Sequence, residues 1–207
     1  MTKPYDERLE RKRYIRRRQQ VVFSIIGAAL AVVLVVSSLF FFHVGGLGVV
    51  ATAAVKPNYG VTVPCSVKDA EGKNQKYTSY ANIKVRVRNA TGFSGLAKAV
   101  SQALQNRQFT VVGFDTNKTT LERTTIYFGK NAINEAYTLN SNFTDAVMVM
   151  DDREDKLVDV VLGATFNDLR NKDDIPSADE AITDFEGCVA ADKMTNLPKA
   201  AGHALFN

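Results

Sequence analysis

Residues 83–114 read IKVRVRNATGFSGLAKAVSQALQNRQFTVVGF, and this stretch decides the fold class. Ile83, Val85 and Val87 alternate with Lys84, Arg86 and Arg88. That period of two predicts a half-buried strand with one charged face. Asn89-Ala90-Thr91-Gly92 turns the chain, and Ser94 stands where a helix cap is expected. Leu96, Ala99, Val100, Ala103 and Leu104 then recur at helical spacing on one stripe, so a helix runs to about Arg107. Phe109–Phe114 is a second strand. Strand, helix and strand in this order open an α/β unit.

Downstream, Thr124–Phe128 is a third strand, ended by Gly129. Ala132, Ile133, Ala136 and Tyr137 suggest a short second helix. Ala146–Met150 and Leu157–Leu162 are two further apolar strands. Between them, Asp151-Asp152-Arg153-Glu154-Asp155 reads as a solvated hairpin turn; it lacks the residue order of a calcium loop. The sum is an α/β, β-α-β-β-α-β-β domain over residues 82–170. Two amphipathic helices cannot cover both faces of such a sheet. A two-layer arrangement is expected, with the helices on one face and Lys84, Arg86 and Arg88 on the other.

The flanks differ in character. Residues 44–81 carry Pro57, Gly60, Pro64 and Gly72 and read as an irregular lead-in. In the extension 171–207, Ser177-Ala178-Asp179-Glu180 has the capping-box spacing and predicts a short helix near 178–186. Residues 189–207 lack strong periodicity and are expected to be loosely held.

The charge is uneven. Residues 1–20 hold eight basic residues and three acids, whereas the other 187 hold 18 and 19. A body of net charge −1 argues against a nucleic-acid partner. Val21 to Phe42 is a run of 22 uncharged residues, enough for one transmembrane helix over 21–43. The basic run Arg11–Arg18 precedes it directly, so the positive-inside rule puts the N-terminus in the cytoplasm and the body outside. The lipid bilayer is therefore the first partner. Gly45, Gly46 and Gly48 mark the exit of the span, and His43 at its outer end is expected to be solvated. Ala51-Thr52-Ala53 has the small-x-small look of a signal cleavage site, which leaves a cleaved leader as the competing reading.

Cys65 and Cys188 are the only cysteines. Outside the membrane they can form a disulfide; two free thiols are the alternative.

The body resembles the LytR C-terminal domain family. The matching stretches are Val85–Gly92, Gly95-Leu96-Ala97, Gln108–Val112, Thr125–Gly129 and Val158–Phe166. The layout of basic tail, one span, this domain and two flanking cysteines is similar to small envelope-integrity proteins. In many members the domain follows a LytR-CpsA-Psr catalytic domain, which attaches phosphate-linked glycopolymers to the wall. The interval from Val55 to Asn82 is too short to hold one. The resemblance therefore implies an extracytoplasmic binding or accessory module, with cell-wall glycopolymer or LytR-CpsA-Psr transferases as partners. The transcriptional role attached to the family by name gets no support from the residues.

Enzymatic chemistry is not expected. His203 is the body's only histidine and lies near its end, so no Ser-His-Asp arrangement is predicted. No metal or cofactor is expected either. Lys84, Arg86 and Arg88 are the first candidates for a polyanion site, about 7 Å apart along the strand. Gly92, Ser94 and Gly95 precede a helix N-terminus and form a second candidate, for an anion. Phe93, Tyr127 and Phe128 could line a small apolar pocket. The leading expectation is a non-enzymatic envelope factor acting by binding. A protein–protein adaptor of wall assembly or division, and a cryptic enzyme on wall or glycolipid precursors, are the alternatives.

Overall fold

The computed structural model describes residues 7–42 and 55–206. The chain divides into two units, Met1–Ala54 and Val55–Asn207. His43, the three glycines after it and Ala51–Ala53 lie outside the described residues.

The first unit is one helix, α1 (Glu7–Phe41). Its segment Arg11–Phe41 is long and apolar enough to cross a membrane. Those 31 residues span roughly 46 Å at about 1.5 Å per residue, against a hydrocarbon core of about 30 Å. The apolar side chains from Val21 to Phe41 are exposed, as a lipid-facing stretch requires. The basic run Arg11–Arg18 is the first part of the same helix.

The second unit is built on β1 (Lys84–Asn89), α2 (Leu96–Asn106), β2 (Thr110–Thr116), β3 (Thr124–Phe128), α3 (Ile133–Asn140), β4 (Ala146–Met150) and β5 (Leu157–Leu162). The sheet order is β2-β1-β5-β3-β4. β1 and β2 run parallel, as do β3 and β4, because a helix carries the chain back between the members of each pair. β5 joins the two βαβ units, parallel to β1 and antiparallel to β3. Every residue of β5 is buried, as a central strand covered on both faces should be.

The strand order corrects one expectation. β3 lies between β4 and β5, so residues 151–155 are not a hairpin turn. Nor are they wholly solvated: Asp151, Arg153 and Asp155 are buried. Gly129 permits this close approach, since a Cβ there would stand 2.0 Å from the Arg153 carbonyl oxygen.

α2 starts without help from Ser94, which makes no capping bond; Gly95, at φ 82°, takes the cap position. Asn89 organises the turn instead. Its Oδ1 accepts from the Thr91 N–H at 2.9 Å and its Nδ2 donates to the Phe93 carbonyl at 2.7 Å.

The flanks are part of the body. Residues 63–78 and 180–189 form a clasp over α3, closed by the Cys65–Cys188 disulfide. The Cys65 N–H donates to the Val189 carbonyl and the Val189 N–H to the Val63 carbonyl. Asn134 and Thr138 on α3 bind the clasp at Val67 and Thr78. The expected helix near 178–186 does not form. Glu180 does accept from the Ser177 N–H at 2.8 Å, half of a capping box. However, the Tyr77 and Ile182 amides donate across the clasp to Glu180 and Gln75, which draws the segment out straight.

β4 is an edge strand, and Asn58 covers its middle. The side-chain amide donates to the Met148 carbonyl at 2.9 Å and accepts from the Met148 N–H at 2.8 Å. It therefore substitutes for a neighbouring strand. Asn58→Ala leaves two buried backbone groups without partners, and the expected loss is about 2–4 kcal/mol. Urea denaturation followed by circular dichroism measures it; an unchanged midpoint would show that water replaces the amide.

Candidate functional site

The charged face of β1 is not a bare cationic ladder. Register sets Arg86 directly opposite Asp159 on β5. The guanidinium grips that carboxylate with two bonds, Nε to Oδ1 at 2.7 Å and Nη2 to Oδ2 at 2.5 Å. Asp159 also meets Arg153 Nη2 at 3.2 Å, and Arg153 in turn binds Asp151 at 2.7–3.1 Å. The Arg153, Asp151 and Asp159 side chains are each at most 2% exposed. Burial alone would lower the Arg153 pKa, but Asp151 and Asp159 hold it above the ordinary arginine value. Arg88 Nε lies 3.1 Å from Asp115, and half-buried Lys84 is engaged as well.

Residues 198–206 run across this face, contrary to the expectation that the end is loosely held. The Asp152 amide donates to the Pro198 carbonyl and the Lys156 amide to the Phe206 carbonyl. Arg86 Nη1 donates to the Gly202 carbonyl at 3.2 Å. His203 is a tether here: Nε2 stands 3.0 Å from Asp155 Oδ2 and Nδ1 2.6 Å from the Ala201 oxygen. Under this strap lies a cavity of about 260 Å³ lined by Arg88, Tyr127, Asp151, Asp159, Pro198 and Ala201, among others. Burial, then Asp151, pushes the Tyr127 phenol up. The cavity is small and its charges face one another.

The other candidates separate in space. Gly92, Ser94 and Gly95 stay at the surface before α2. Phe128 is fully buried, Tyr127 follows the strand alternation to the opposite face, and Phe93 is 70% exposed, so the three make no common pocket.

A larger concavity, about 820 Å³, opens elsewhere on the body. Its walls are Lys76, Tyr77, Ser79 and Tyr80, residues 106–108 at the end of α2, Asn142, and Lys172 with residues 175–178. Tyr80 stacks on Phe109 with ring centroids 4.3 Å apart, which fixes one tyrosine wall. Arg107 is held by Asn142 Oδ1 at 3.0 Å and the Arg170 carbonyl at 2.8 Å. Lys76, Arg107 and Lys172 line the groove, and no carboxylate does. Lys76 Nζ stands 3.3 Å from Asp179, which is not among the lining residues. The aromatic, amide and cationic character of this groove suits an amphipathic ligand. Sequence reasoning missed it, because its walls come from a lead-in, a helix end and an extension that carry no shared local signal.

Residues 82–166 match the family described as LytR cell envelope-related transcriptional attenuator, which bears out the resemblance read from Val85–Gly92 and Val158–Phe166. No curated protein matches the chain. Among solved structures, the soluble domain (residues 71–217) of a conserved hypothetical secreted protein from Mycobacterium marinum, an Rv2700 ortholog, is 28% identical with a TM-score of 0.44. The match covers 59% of this chain and 92% of that one. The C-terminal domain of RV0431 is 20% identical with a TM-score of 0.26, over 50% of this chain and 90% of its own.

Proposed function

We propose that this protein is a membrane-anchored, non-enzymatic module that binds cell-envelope glycopolymer outside the cytoplasmic membrane and so supports envelope integrity. The match of residues 82–166 to an envelope-related family supports the setting. The apolar helix α1, with Arg11–Arg18 on its cytoplasmic side, supplies the anchor. One observation carries the binding role: the 820 Å³ groove is lined by tyrosines, amides and three cations without a carboxylate. Arg86 is locked in a pair with the buried Asp159 and Arg88 meets Asp115, whereas Lys76 pairs only at the open surface with Asp179, so in this reading the face of Lys84, Arg86 and Arg88 is structural and the groove takes the polymer.

Crosslinking in living cells, followed by purification of the full chain from membranes, tests this. Envelope glycan is expected on the wild type and a loss of at least about fivefold on Lys76→Glu/Lys172→Glu, from charge repulsion in the groove. The Lys76 side chain is 65% exposed, so its replacement leaves the fold intact. A membrane protein recovered without glycan would favour the adaptor reading instead.

A further inference from the structure

Among the described residues, four other than glycine have left-handed backbones: Asn58, Tyr59, Gln108 and Asn196. Such conformations are strained for most side chains. Three have a local account. Asn58 binds Met148 on both sides. Tyr59 lies under the Arg123 guanidinium, 3.8 Å from ring centroid to carbon. Asn196 is of the type that tolerates this region. Gln108, at φ 73°, is different.

Gln108 follows the end of α2. Its N–H donates to the Gln105 carbonyl at 2.8 Å, and the Phe109 N–H reaches back to the Leu104 carbonyl at 3.0 Å. This is a Schellman closure, in which the left-handed position normally holds glycine, or asparagine. The glutamine side chain is exposed and lines the 820 Å³ groove. Among the described residues its amide bonds to no protein group. The closure accounts for the left-handed backbone but not for a glutamine in it, and Gln108 sits in the wall of the 820 Å³ groove.

We infer that Gln108 is a specificity-determining residue, held left-handed so that its amide reads the hydroxyls of an acidic saccharide chain lying in the groove. The inference rests on the groove being the binding surface. The ligand class follows from the lining. Tyr77 and Tyr80 offer apolar rings to sugar faces, the exposed Asn106 and Gln108 offer amides to hydroxyls, and Lys76 and Lys172 meet carboxylate or phosphate substituents. Glycine at 108 would relieve the strain and delete the reader at once.

The test uses the full chain in lipid nanodiscs, with hexagalacturonate, cellohexaose and hexaglutamate as probes. Hexagalacturonate is expected to bind at least fivefold more tightly than either of the others. Gln108→Gly should raise Tm by about 2–4 °C as the backbone strain is relieved, and weaken hexagalacturonate at least fivefold. Gln108→Ala keeps the strain, so it should weaken binding without the gain in Tm. Unchanged affinity in both variants would reduce Gln108 to a strained cap and overturn the inference. Hexaglutamate binding as tightly as hexagalacturonate would overturn the saccharide class. A wild type that binds no hexagalacturonate also overturns it; if that protein still retains envelope glycan in cells, the inference alone has failed and the binding role stands.

Discussion

Asp159→Ala is expected to lower the unfolding free energy of the body by about 3–5 kcal/mol, the range for breaking a buried charge network at one member. Asp159 is the hub of the sheet's polar face. It receives two bonds from Arg86 and one from Arg153, and its side chain is 1% exposed. Removing it leaves Arg153, itself 2% exposed, with Asp151 and the Leu157 carbonyl, and Arg86 with only the Gly202 carbonyl. The loss comes mainly from stranded guanidinium groups and not from the missing attraction. A companion variant separates the two. Replacing Arg86, Arg153, Asp151 and Asp159 together by apolar residues of similar volume should recover most of the stability. Guanidinium denaturation of both proteins checks this. A quadruple variant as unstable as the single one would mean that the network contributes net attraction.

Removing the disulfide ranks second. Cys65 and Cys188 are 123 residues apart with Cα atoms at 4.9 Å. A loop that long restricts the unfolded chain by about 4–5 kcal/mol in the chain-entropy account. Cys65→Ser/Cys188→Ser, or reduction of the wild type, should therefore lower stability by roughly that amount, with the midpoint of the double variant no longer sensitive to reductant. If the variant and the oxidised wild type unfold together, the clasp hydrogen bonds hold the flanks without covalent help.

The fold was readable where burial followed a simple period. The bounds of β3, β4 and β5 coincide with the apolar runs Thr124–Phe128, Ala146–Met150 and Leu157–Leu162. β1 was legible from the alternation of Val85 and Val87 with arginines. Strand order was not, because the pairing of β5 with β1 joins residues 73 apart, as in Arg86 with Asp159, and leaves no local mark. That distance also hides the carboxylate opposite Arg86, since Asp159 sits within an otherwise apolar strand. The helix near 178–186 failed for a related reason: a good local capping signal lost to hydrogen bonds with Gln75 and Tyr77, about a hundred residues away. Gln108 did carry a faint clue. The apolar stripe of α2 ends near Arg107, and neither glycine nor asparagine follows in Gln108-Phe109-Thr110 to close the helix.

The disulfide also determines how the body would bear mechanical tension. Tyr77 lies 12 residues after Cys65, and residues 172–178 lie 10–16 before Cys188. A pull between the bilayer and a polymer seated in the groove enters through residues 55–65. It reaches one wall directly from Cys65 and the other across the sulfur–sulfur bond. The central strands of the sheet lie off this short route, so if the groove holds envelope polymer as proposed, the covalent link is loaded first. With the link cut, the same pull falls on the clasp hydrogen bonds. Once they part, the 12 residues from Cys65 to Tyr77 can be drawn out, a contour length of roughly 40 Å. The disulfide thus decides whether that short stretch is taut or slack.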